Sequence, residues 1–494
     1  MINKACFISA LLGACTVLAF APFDIYPVAF LSIAGLVYLA GNTTPTNAFK
    51  IGLSFGLGLY LFGVSWVYVS LSVYGGMPLW MGSIAVLGFS LLLALFSAMA
   101  TGLSSYLALS SRISFVLVFP FVWVIFEWCK SWVLTGFPWL DIAYTQTLTW
   151  IAAWAPVGGV YLVSFMLVAI AILLLRFCLA SSLKDRLIPV VGLVLLVGTS
   201  LGLNHIRWTS TDGKPITIGI VQANVPIETK WQSEVQRLTL QNYRQFGHQL
   251  ANDKTLDLLV LPETAMPLYV SQTDPEFWKT MRPEGAALLS GILDHDGENG
   301  YNAAALSCSD SIGPPQVYRK RHLVPFGEYQ PLKFLFAWVF EYLQLPMSDF
   351  ASGPGTQELS CGAAIKVGLS ICYEDSFSNE YRNHLGDASV LVNISEDAWF
   401  GDSLAPHQRK QFAQFRAKEM GRPLVRAANS GPSLFIDSQG RVEAVTAQFE
   451  VAAMSRSVQP MKGETPFMKF GSWIVWLSLI FVLASLFVRL RVSA

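Results

Sequence analysis

The sequence predicts a polytopic α-helical membrane bundle that carries one polar α/β domain. The chain is 53% hydrophobic and only 13% charged, whereas soluble proteins carry roughly 25% charged residues. Apolar segments fill residues 1–203 and recur at 470–494, and residues 204–469 contain no comparable segment. We therefore divide the chain into an N-terminal seven-span bundle, a polar domain, and an eighth span with a short tail.

About eight segments have the composition of membrane spans, which need roughly 17–25 mostly apolar residues. They are residues 6–22, 25–39, 51–71, 79–107, 114–132, 154–175, 187–203 and 471–488. The first also resembles a secretory signal, because Lys4 precedes it and the small-x-small run at 19–21 ends it. Pro22 directly after that run disfavours cleavage, so we expect an uncleaved first span.

Lysine and arginine are concentrated in alternate short loops, and cytoplasmic loops carry the excess of these residues. The cations are Lys4, Lys50, Arg112, Arg176, Lys184, Arg186, Arg489 and Arg491. Lys130 is the main exception. Seven spans then place residues 204–469 on the outer side of the membrane, although a miscounted span would invert the domain.

The polar domain alternates between strand-like and helical patterns, which predicts sheets covered by helices. Helical spacing marks residues 232–250 and 407–420. The strand-like runs are residues 216–222, 256–261, 286–293, 303–307, 365–371, 389–394, 424–428 and 434–436.

Charge and cysteine content argue against several classes of function. The formal net charge is zero, so nothing indicates electrostatic attraction to nucleic acid. The seven cysteines include no CxxC pair, and their odd number argues against a full disulfide framework. Because the chain also lacks a P-loop and metal-type His/Cys spacing, we expect neither a metal nor another cofactor.

Three residues in the polar domain follow short apolar runs and could act together. Glu263, Lys320 and Cys372 each come at such a strand end, where α/β enzymes place reacting groups. A carboxylate can act as a base, an ammonium can stabilise a thiolate or an oxyanion, and a thiol can be acylated. Taken one at a time, each residue also has a simpler explanation. Glu263 fits a helix cap, Lys320 fits a basic cluster that faces solvent, and Cys372 fits a small hydrophobic residue of the core. Cys308 and Cys361 lack comparable neighbours, so we interpret them as structural.

Four motifs around these residues resemble those of the apolipoprotein N-acyltransferase family, a membrane branch of the nitrilase, or carbon–nitrogen hydrolase, superfamily. The motifs are residues 262–265 (PETA), 320–328 (KRHLVPFGE), 371–374 (ICYE) and 393–401 (NISEDAWFG). The resemblance covers nearly the whole chain. It implies a nitrilase-like, four-layer αββα sandwich domain that faces the periplasm from the bacterial inner membrane.

By this resemblance, Glu263 is the general base, Lys320 stabilises the oxyanion and Cys372 is the nucleophile. The implied reaction moves an acyl chain from a membrane phospholipid to Cys372 as a thioester. The chain then passes to the N-terminal α-amino group of a diacylglyceryl-modified apolipoprotein. The resemblance requires no cofactor, because the donor ester supplies the driving force.

The resemblance also implies two supporting carboxylates and two residues near the substrate pocket. The supporting carboxylates are Glu328 and Glu374, and the residues near the pocket are Trp231 and Tyr373. The chain departs from the family in two places. Glu396 stands where the family often has Asn, and the loop around Lys130 lacks an Arg that the family often has. We expect neither departure to touch the triad.

Two aromatic stretches are candidates for contact with lipid. Residues 329–350 include Phe336 and Trp338, which is typical of a membrane-dipping arm and also of an amphipathic helix packed on the domain. Residues 128–139 fit either an acyl entrance or an interfacial aromatic belt. We predict that both stretches line the acyl entrance. Near the second stretch, the expected partner of the intramembrane Glu127 is Lys130, three residues away.

Two other functions fit parts of the sequence. A membrane-anchored amidase would use the same triad with water as second nucleophile, but it would need neither an aromatic arm nor a bundle. A transporter fits eight spans, but the spans show few charges and no clear inverted repeat. The expected partners are therefore the phospholipid donor, the apolipoprotein acceptor and membrane lipids, with no nucleic acid and with the protein as a monomer.

Overall fold

The structure is a computed structural model in which most of the chain is described. The predicted arm residues Phe336 and Trp338 lie outside the described residues, so the arm stays a prediction. The described residues are 2–108, 114–311, 313–331, 349–355 and 358–493.

Helices form in every segment that the sequence predicts to span the membrane. They are α1 (Ile2–Thr16), α2 (Pro27–Ala40), α3 (Pro45–Gly63), α4 (Leu79–Ala108), α5 (Phe115–Lys130), α6 (Ala155–Leu179), α7 (Leu183–Asn204) and the C-terminal helix Trp473–Ser493. Among the described residues, five helical stretches are long and apolar enough to cross a membrane, and α2 is apolar but shorter. A helical membrane region is confirmed, whereas the count of eight spans stays a prediction.

The third predicted span differs most from its helix. The sequence predicts a span at 51–71, but α3 begins at Pro45 and ends at Gly63, and a separate π-helix follows at Val69–Tyr74. Thr44 caps α3 by accepting a hydrogen bond from the backbone of Asn47, which sets the earlier start.

Close backbone contacts hold α3 against its neighbours. A Cβ atom at Gly13 of α1 would meet the carbonyl oxygen of Phe55, and one at Gly58 would meet the carbonyl oxygen of Ala10. Helices in membranes associate through such small residues, because lipid provides no hydrophobic force between them. The sequence of α1 and α3 therefore lets the two helices pack with their backbones almost touching.

The polar domain consists of two six-stranded sheets. The strands are β1 (Ser210–Thr211), β2 (Ile216–Gln222), β3 (Leu258–Val260), β4 (Ala287–His295), β5 (Gly300–Ser307), β6 (Gln316–Arg319), β7 (Leu359–Cys361), β8 (Ile365–Ile371), β9 (Val390–Ser395), β10 (Leu424–Ala428), β11 (Leu434–Ile436), β12 (Val442–Val445), β13 (Ala452–Val458) and β14 (Met461–Lys462). One six-stranded sheet has the strand order β13-β2-β3-β4-β5-β6, and the other β12-β11-β10-β9-β8-β7. β1 and β14 form a separate two-stranded sheet.

Apolar side chains from both six-stranded sheets fill one shared core, which includes Val260, Ile371 and Val392. A second core packs helices on the outer face of the first sheet, and a third packs helices on the outer face of the second. The layers are therefore helices, sheet, sheet and helices. The helices are α8 (Ser233–Asp253), α9 (Pro275–Met281), α10 (Ser378–Asn383), α11 (Leu404–Met420), α12 (Pro466–Phe470) and the terminal helix, which becomes α13.

A disulfide joins the two sheets at one end of the sandwich. Cys308, just after β5, is bonded to Cys361 in β7, 53 residues further along the chain. The interpretation of both cysteines as structural agrees with this bond.

The bundle and the domain meet where α6 is broken. Gly159 has a φ of 72°, which interrupts the helical hydrogen-bond ladder. The backbone N–H of Val160 then donates to Glu419 of α11 at 2.8 Å. α11 therefore covers the second sheet and also binds the membrane bundle.

Candidate active site

Glu263, Lys320 and Cys372 are brought together at the ends of three strands. Glu263 lies just beyond β3, Lys320 follows β6, and Cys372 follows β8. The Nζ atom of Lys320 is 3.4 Å from Oε1 of Glu263. All three side chains are buried, and both charged groups are close enough to change the pKa of the Cys372 thiol. The structure thus assembles the predicted triad at one place between the sheets.

The backbone of Cys372 is held in an unfavourable conformation. Its φ is 50°, in the left-handed region, which costs energy for a residue with a side chain. Glu374 stabilises this turn, because its carboxylate accepts hydrogen bonds from the backbone N–H groups of Ile371 at 2.7 Å and Arg321 at 2.8 Å. Glu374 also accepts from the Tyr318 hydroxyl. The predicted supporting carboxylate therefore fixes the nucleophile strand to the Lys320 strand.

The carboxylate of Glu263 is oriented by hydrogen bonds to both oxygens. Asn302 Nδ2 donates to Oε1 at 2.7 Å, and the backbone N–H of Glu396 donates to Oε2 at 2.8 Å. The expectation that Glu396 lies away from the triad is therefore wrong. Glu396 follows β9 directly, so its backbone lies at the same strand-end edge as the reacting groups.

The side chain of Glu396 is also paired within the site. Its Oε2 is 2.9 Å from Nζ of Lys230, which donates to the backbone oxygen of Glu263 and to Thr264 Oγ1. Burial raises the pKa of Glu396, although Lys230 opposes this rise. This ion pair locks the segment that carries the candidate base. Its one signal in the sequence is the Glu at a position where the family often has Asn.

The ammonium of Lys320 is held mainly by Glu328. Nζ of Lys320 is 2.9 Å from this carboxylate, which also accepts from the backbone N–H of Val324 at 2.7 Å. Burial by itself lowers the pKa of Lys320, but Glu328 and Glu263 raise it above its usual value. Lys320 therefore remains a cation at neutral pH, as an oxyanion donor requires.

The sulfur of Cys372 needs a base before it can attack. Burial, with the charge of Glu263 as a second cause, raises the pKa of the thiol to about 12. The cations Arg409 and Lys320 oppose it without reversing it. At neutral pH the group is a thiol, so its proton has to leave during the reaction.

A buried ion cluster lies beside Cys372, and the sequence patterns did not predict it. Arg409 of α11 and Arg426 of β10 share the carboxylates of Asp375 and Asp397, with distances from 2.5 to 3.3 Å. Burial alone would raise the pKa of Asp397, but Arg426 and Arg409 lower it below its usual value. One signal was present, since Arg426 interrupts the apolar run LVRAA and a charge there needs a buried partner.

The two predicted substrate-pocket residues have different surroundings. Trp231 is partly buried and directly follows Lys230. Tyr373 is buried, and its hydroxyl donates to the backbone oxygen of Gly136, in the loop between α5 and α6, at 2.9 Å. Its ring stacks on Trp139 of that loop. Tyr373 thus connects the nucleophile turn to the bundle, and substrate contact stays a prediction for both residues.

The aromatic stretch 128–139 divides between a buried junction and an exposed surface. Trp139 is 1% exposed, and its Nε1 donates to Gln408 of α11, as does Nε1 of Trp66. Trp132, in contrast, is 53% exposed. Only part of this stretch is therefore free to face an acyl chain.

Lys130 has a different ion-pair partner from the expected Glu127. Its Nζ is 2.8 Å from Asp141 and donates to the hydroxyl of Tyr60 at 3.1 Å. Glu127 instead accepts from the backbone N–H of Ile142 at 2.9 Å. The chain folds back after α5 and brings Asp141 to the buried ammonium, which helical spacing could not reveal.

No group of His, Cys, Asp and Glu in the described part of the chain has the arrangement of a metal site. The chemistry that the described residues can perform is nucleophilic acyl transfer, with one thiol, one carboxylate and one ammonium in contact or close to it.

Comparison with known proteins identifies the family. The family model of the apolipoprotein N-acyltransferase N-terminal domain matches residues 12–173, and the carbon–nitrogen hydrolase model matches residues 217–462. An apolipoprotein N-acyltransferase from Methylococcus capsulatus is 40% identical, with 92% of this chain and 90% of that protein aligned. This chain belongs to the apolipoprotein N-acyltransferase family.

Other relatives with the same name agree. The apolipoprotein N-acyltransferase of Nitrosomonas europaea is 37% identical, with 94% of this chain and 93% of the relative aligned. That of Chromobacterium violaceum is 36% identical over 94% of this chain and 90% of the relative. The resemblance seen in the four motifs is therefore confirmed over nearly the whole length of the family's proteins.

Proposed function

We propose that this protein is an acyltransferase that completes the maturation of bacterial lipoproteins. It would move an acyl chain from a membrane phospholipid to the N-terminal α-amino group of a diacylglyceryl-modified apolipoprotein. The observation that carries the proposal is the buried Glu263–Lys320–Cys372 cluster in a member of this family, beside the junction with the membrane bundle.

In the first half-reaction, Glu263 takes the proton of the Cys372 thiol while the sulfur attacks the ester carbonyl of the phospholipid. An ammonium with a raised pKa, that of Lys320, stabilises the oxyanion that forms. The C–O bond then breaks, and the leaving lysophospholipid oxygen takes the proton from Glu263. A thioester on Cys372 remains.

In the second half-reaction, the amine of the apolipoprotein attacks the thioester carbonyl and gives its proton to Glu263. The C–S bond breaks, an amide is released, and the sulfur takes the proton back. Dividing the transfer in this way lowers each barrier, because a thiolate is both a good nucleophile and a good leaving group. Glu328 and Glu374 support the two half-reactions by fixing Lys320 and the turn at Cys372.

We assign the substrate contacts to Trp231, Tyr373, Phe336 and Trp338. Tyr373 lies next to the nucleophile and touches the loop after α5, which supports a place for it near an acyl chain that comes from the bilayer. Phe336 and Trp338 belong to the proposed arm at 329–350, outside the described residues. A lipid donor requires such apolar contacts, since the acyl chain has to leave the membrane to reach the thiol.

We further propose that residues 1–203 form a seven-span bundle, residues 204–469 a periplasmic catalytic domain, and residues 470–494 an eighth span with a cytoplasmic tail. The positive loops support this orientation. The Cys308–Cys361 disulfide supports it independently, because disulfides persist in the periplasm and are rare in the cytoplasm. The membrane would then be the bacterial inner membrane.

Mass spectrometry of the purified protein tests the proposal. After incubation with phospholipid alone, we expect the Cys372 peptide to carry an acyl group in the wild type and to lack it in Glu263→Gln and Lys320→Ala. Addition of a diacylated lipopeptide should discharge the thioester and yield an N-acyl amide. Rapid release of free fatty acid without an acceptor would instead indicate a hydrolase of the amidase type.

A further inference from the structure

Arg409 is a buried cation that contacts the reacting sulfur. It lies in α11 and is 1% exposed. Its Nη1 atom donates to Sγ of Cys372 at 3.3 Å, and its Nη2 atom donates to the carbonyl oxygen of Cys372 at 2.7 Å. The nucleophile therefore has a second cation beside it, in addition to the ammonium of Lys320.

We propose that Arg409 is a further catalytic residue, whose guanidinium stabilises Cys372 as a thiolate when the sulfur attacks and again when it leaves. This inference rests on the proposed two-step acyl transfer. In the first step the S–C bond forms as the thiol proton passes to Glu263. In the second step the C–S bond breaks, the electron pair returns to sulfur beside Arg409, and the sulfur takes up the proton that Glu263 removed from the amine.

The ion cluster holds the Arg409 guanidinium in place while one of its nitrogens contacts the sulfur. Arg409 is 2.5 Å from Asp397 and 3.3 Å from Asp375, but Arg426 is 2.6 and 3.0 Å from the same two carboxylates. Each guanidinium group contacts both carboxylates, so the cluster is balanced in charge before the sulfur ionises. A thiolate would then be an additional anion in direct contact with a charged N–H donor, and such contacts are strong in a buried site.

The position of Arg409 is fixed by the residue before it. Gln408 accepts from the indole nitrogens of Trp66 and Trp139, and its Nε2 donates to the backbone oxygen of Gly63 at 3.0 Å. These partners belong to the membrane bundle and its loop. The bundle therefore sets the register of α11 and, with it, the distance from Arg409 to the sulfur.

The effect of Arg409 on the thiol can be measured without lipid. Burial, together with the charges of Glu263 and Asp397, raises the pKa of Cys372 to about 12, although Arg409 and Lys320 lower it. Far below that pKa, the thiolate fraction rises tenfold for each unit of pH. The alkylation rate of Cys372 between pH 7 and pH 9 should therefore fall when Arg409 is removed, because the pKa rises further.

The experiment compares two arginine variants of the full-length protein in detergent. Iodoacetamide is added, and modification of the Cys372 peptide is followed by mass spectrometry, which separates it from the other cysteines. We expect alkylation to be at least about tenfold slower in Arg409→Met at each pH, which is one pKa unit or more. Arg426→Met leaves an aspartate charge uncompensated but keeps the sulfur contact, so it should slow alkylation clearly less than Arg409→Met does.

The direction in which the alkylation rate changes distinguishes a catalytic role of Arg409 from a purely structural one. A variant that only loosens the site would react faster, because an exposed thiol has a pKa of about 8.5. An equal or faster rate in Arg409→Met, or equal slowing in both variants, overturns the inference. If Arg409→Met does not yield folded protein, Arg409→Lys replaces it. We expect alkylation of this variant to be about threefold slower, because lysine lacks the paired N–H donors of arginine. An unchanged or faster rate overturns the inference.

The outcome is separable from that of the proposed function. Alkylation uses no phospholipid and no acceptor, so slow alkylation of Arg409→Met together with no acyl thioester on the wild type would refute the transferase and leave the thiolate contact standing. Thioester formation by the wild type with unchanged alkylation in Arg409→Met would refute only the role of Arg409.

Discussion

Two of the buried lysine–carboxylate pairs among the described residues, those of Lys130 and Lys320, differ in how fully the lysine is bound. In the bundle, Nζ of Lys130 has three partners at 2.7 to 3.1 Å, namely Asp141, Tyr60 and the backbone oxygen of Trp139. In the domain, Nζ of Lys320 is 2.9 Å from Glu328 and 3.4 Å from Glu263. An ammonium has three N–H donors, so the first lysine is saturated by the protein.

The difference explains why similar pairs can serve different purposes. The Lys130 pair, in which all three N–H donors are used, holds the chain where it folds back and has no donor left for a ligand. Among the described residues, Lys320 donates only to Glu328 and Glu263, which leaves one N–H for an oxyanion. Its longer contact with Glu263 leaves that carboxylate available to take a proton. We therefore regard the Lys130 pair as structural and the Lys320 pair as reactive. Three variants test this distinction through the rate of thioester formation per folded molecule.

The largest effect is expected for Glu263→Gln. An amide of the same shape keeps the hydrogen bond from Glu396 but cannot accept the thiol proton. Loss of a general base costs about a hundredfold to ten-thousandfold in rate. Thioester formation from labelled phospholipid measures this, and a rate within threefold of the wild type would remove Glu263 from the mechanism.

A smaller loss is expected for Glu328→Gln. The amide no longer balances the charge of Lys320, so the ammonium should move closer to Glu263 and reduce its availability as a base. We expect a rate that is roughly tenfold to a hundredfold lower, corresponding to about 1.4–2.8 kcal/mol in the barrier. The matched control is Glu276→Gln, at an exposed ion pair with Lys279, which should leave the rate unchanged. A loss in Glu328→Gln no greater than in this control would contradict the reactive interpretation.

The smallest catalytic effect, and a large structural one, is expected for Lys130→Met. Removing one partner of a buried pair leaves the other charge without compensation, which destabilises the fold by about 3–5 kcal/mol. The melting temperature in detergent should fall, while thioester formation per folded molecule changes less than about threefold.

A second variant sharpens the Lys130 test. The double variant Lys130→Met, Asp141→Asn removes both charges of the pair and should recover part of the lost stability. A tenfold or greater loss of activity in well-folded Lys130→Met would show that the bundle pair takes part in the reaction, and the division between the two pairs would then fail.

Sequence patterns predicted the interior strands far better than those at the sheet edges. All eight strand-like runs correspond to strands, including buried β9 and β10, because a continuous apolar run signals a buried strand. The longest missed strand is β13, with the sequence AAMSRSV and several exposed positions. It is a strand because it pairs along its whole length with β2, more than 200 residues earlier, and that partner cannot be inferred from its own residues.

The sequence predicted which residues form the core of the candidate site, but not the contacts that hold them. Glu263, Lys320 and Cys372 stood out because they follow apolar runs and lie in family motifs. Arg409 did not, since a charged residue on a predicted helix is usually solvated. Only packing of α11 between the sandwich and the bundle places Arg409 against the sulfur, with 1% of its surface exposed.

The sequence by itself determined the membrane region, the layered polar domain, the family and the three residues that we propose to react. These properties depend on local composition, on strand and helix periods, and on short motifs. The tertiary structure decided which charges meet: Lys130 with Asp141, Glu396 with Lys230, and Arg409 with the nucleophile. Burial makes such contacts strong and obligatory, because a buried charge needs a partner, but the partner is set by folding over distances that local patterns do not record.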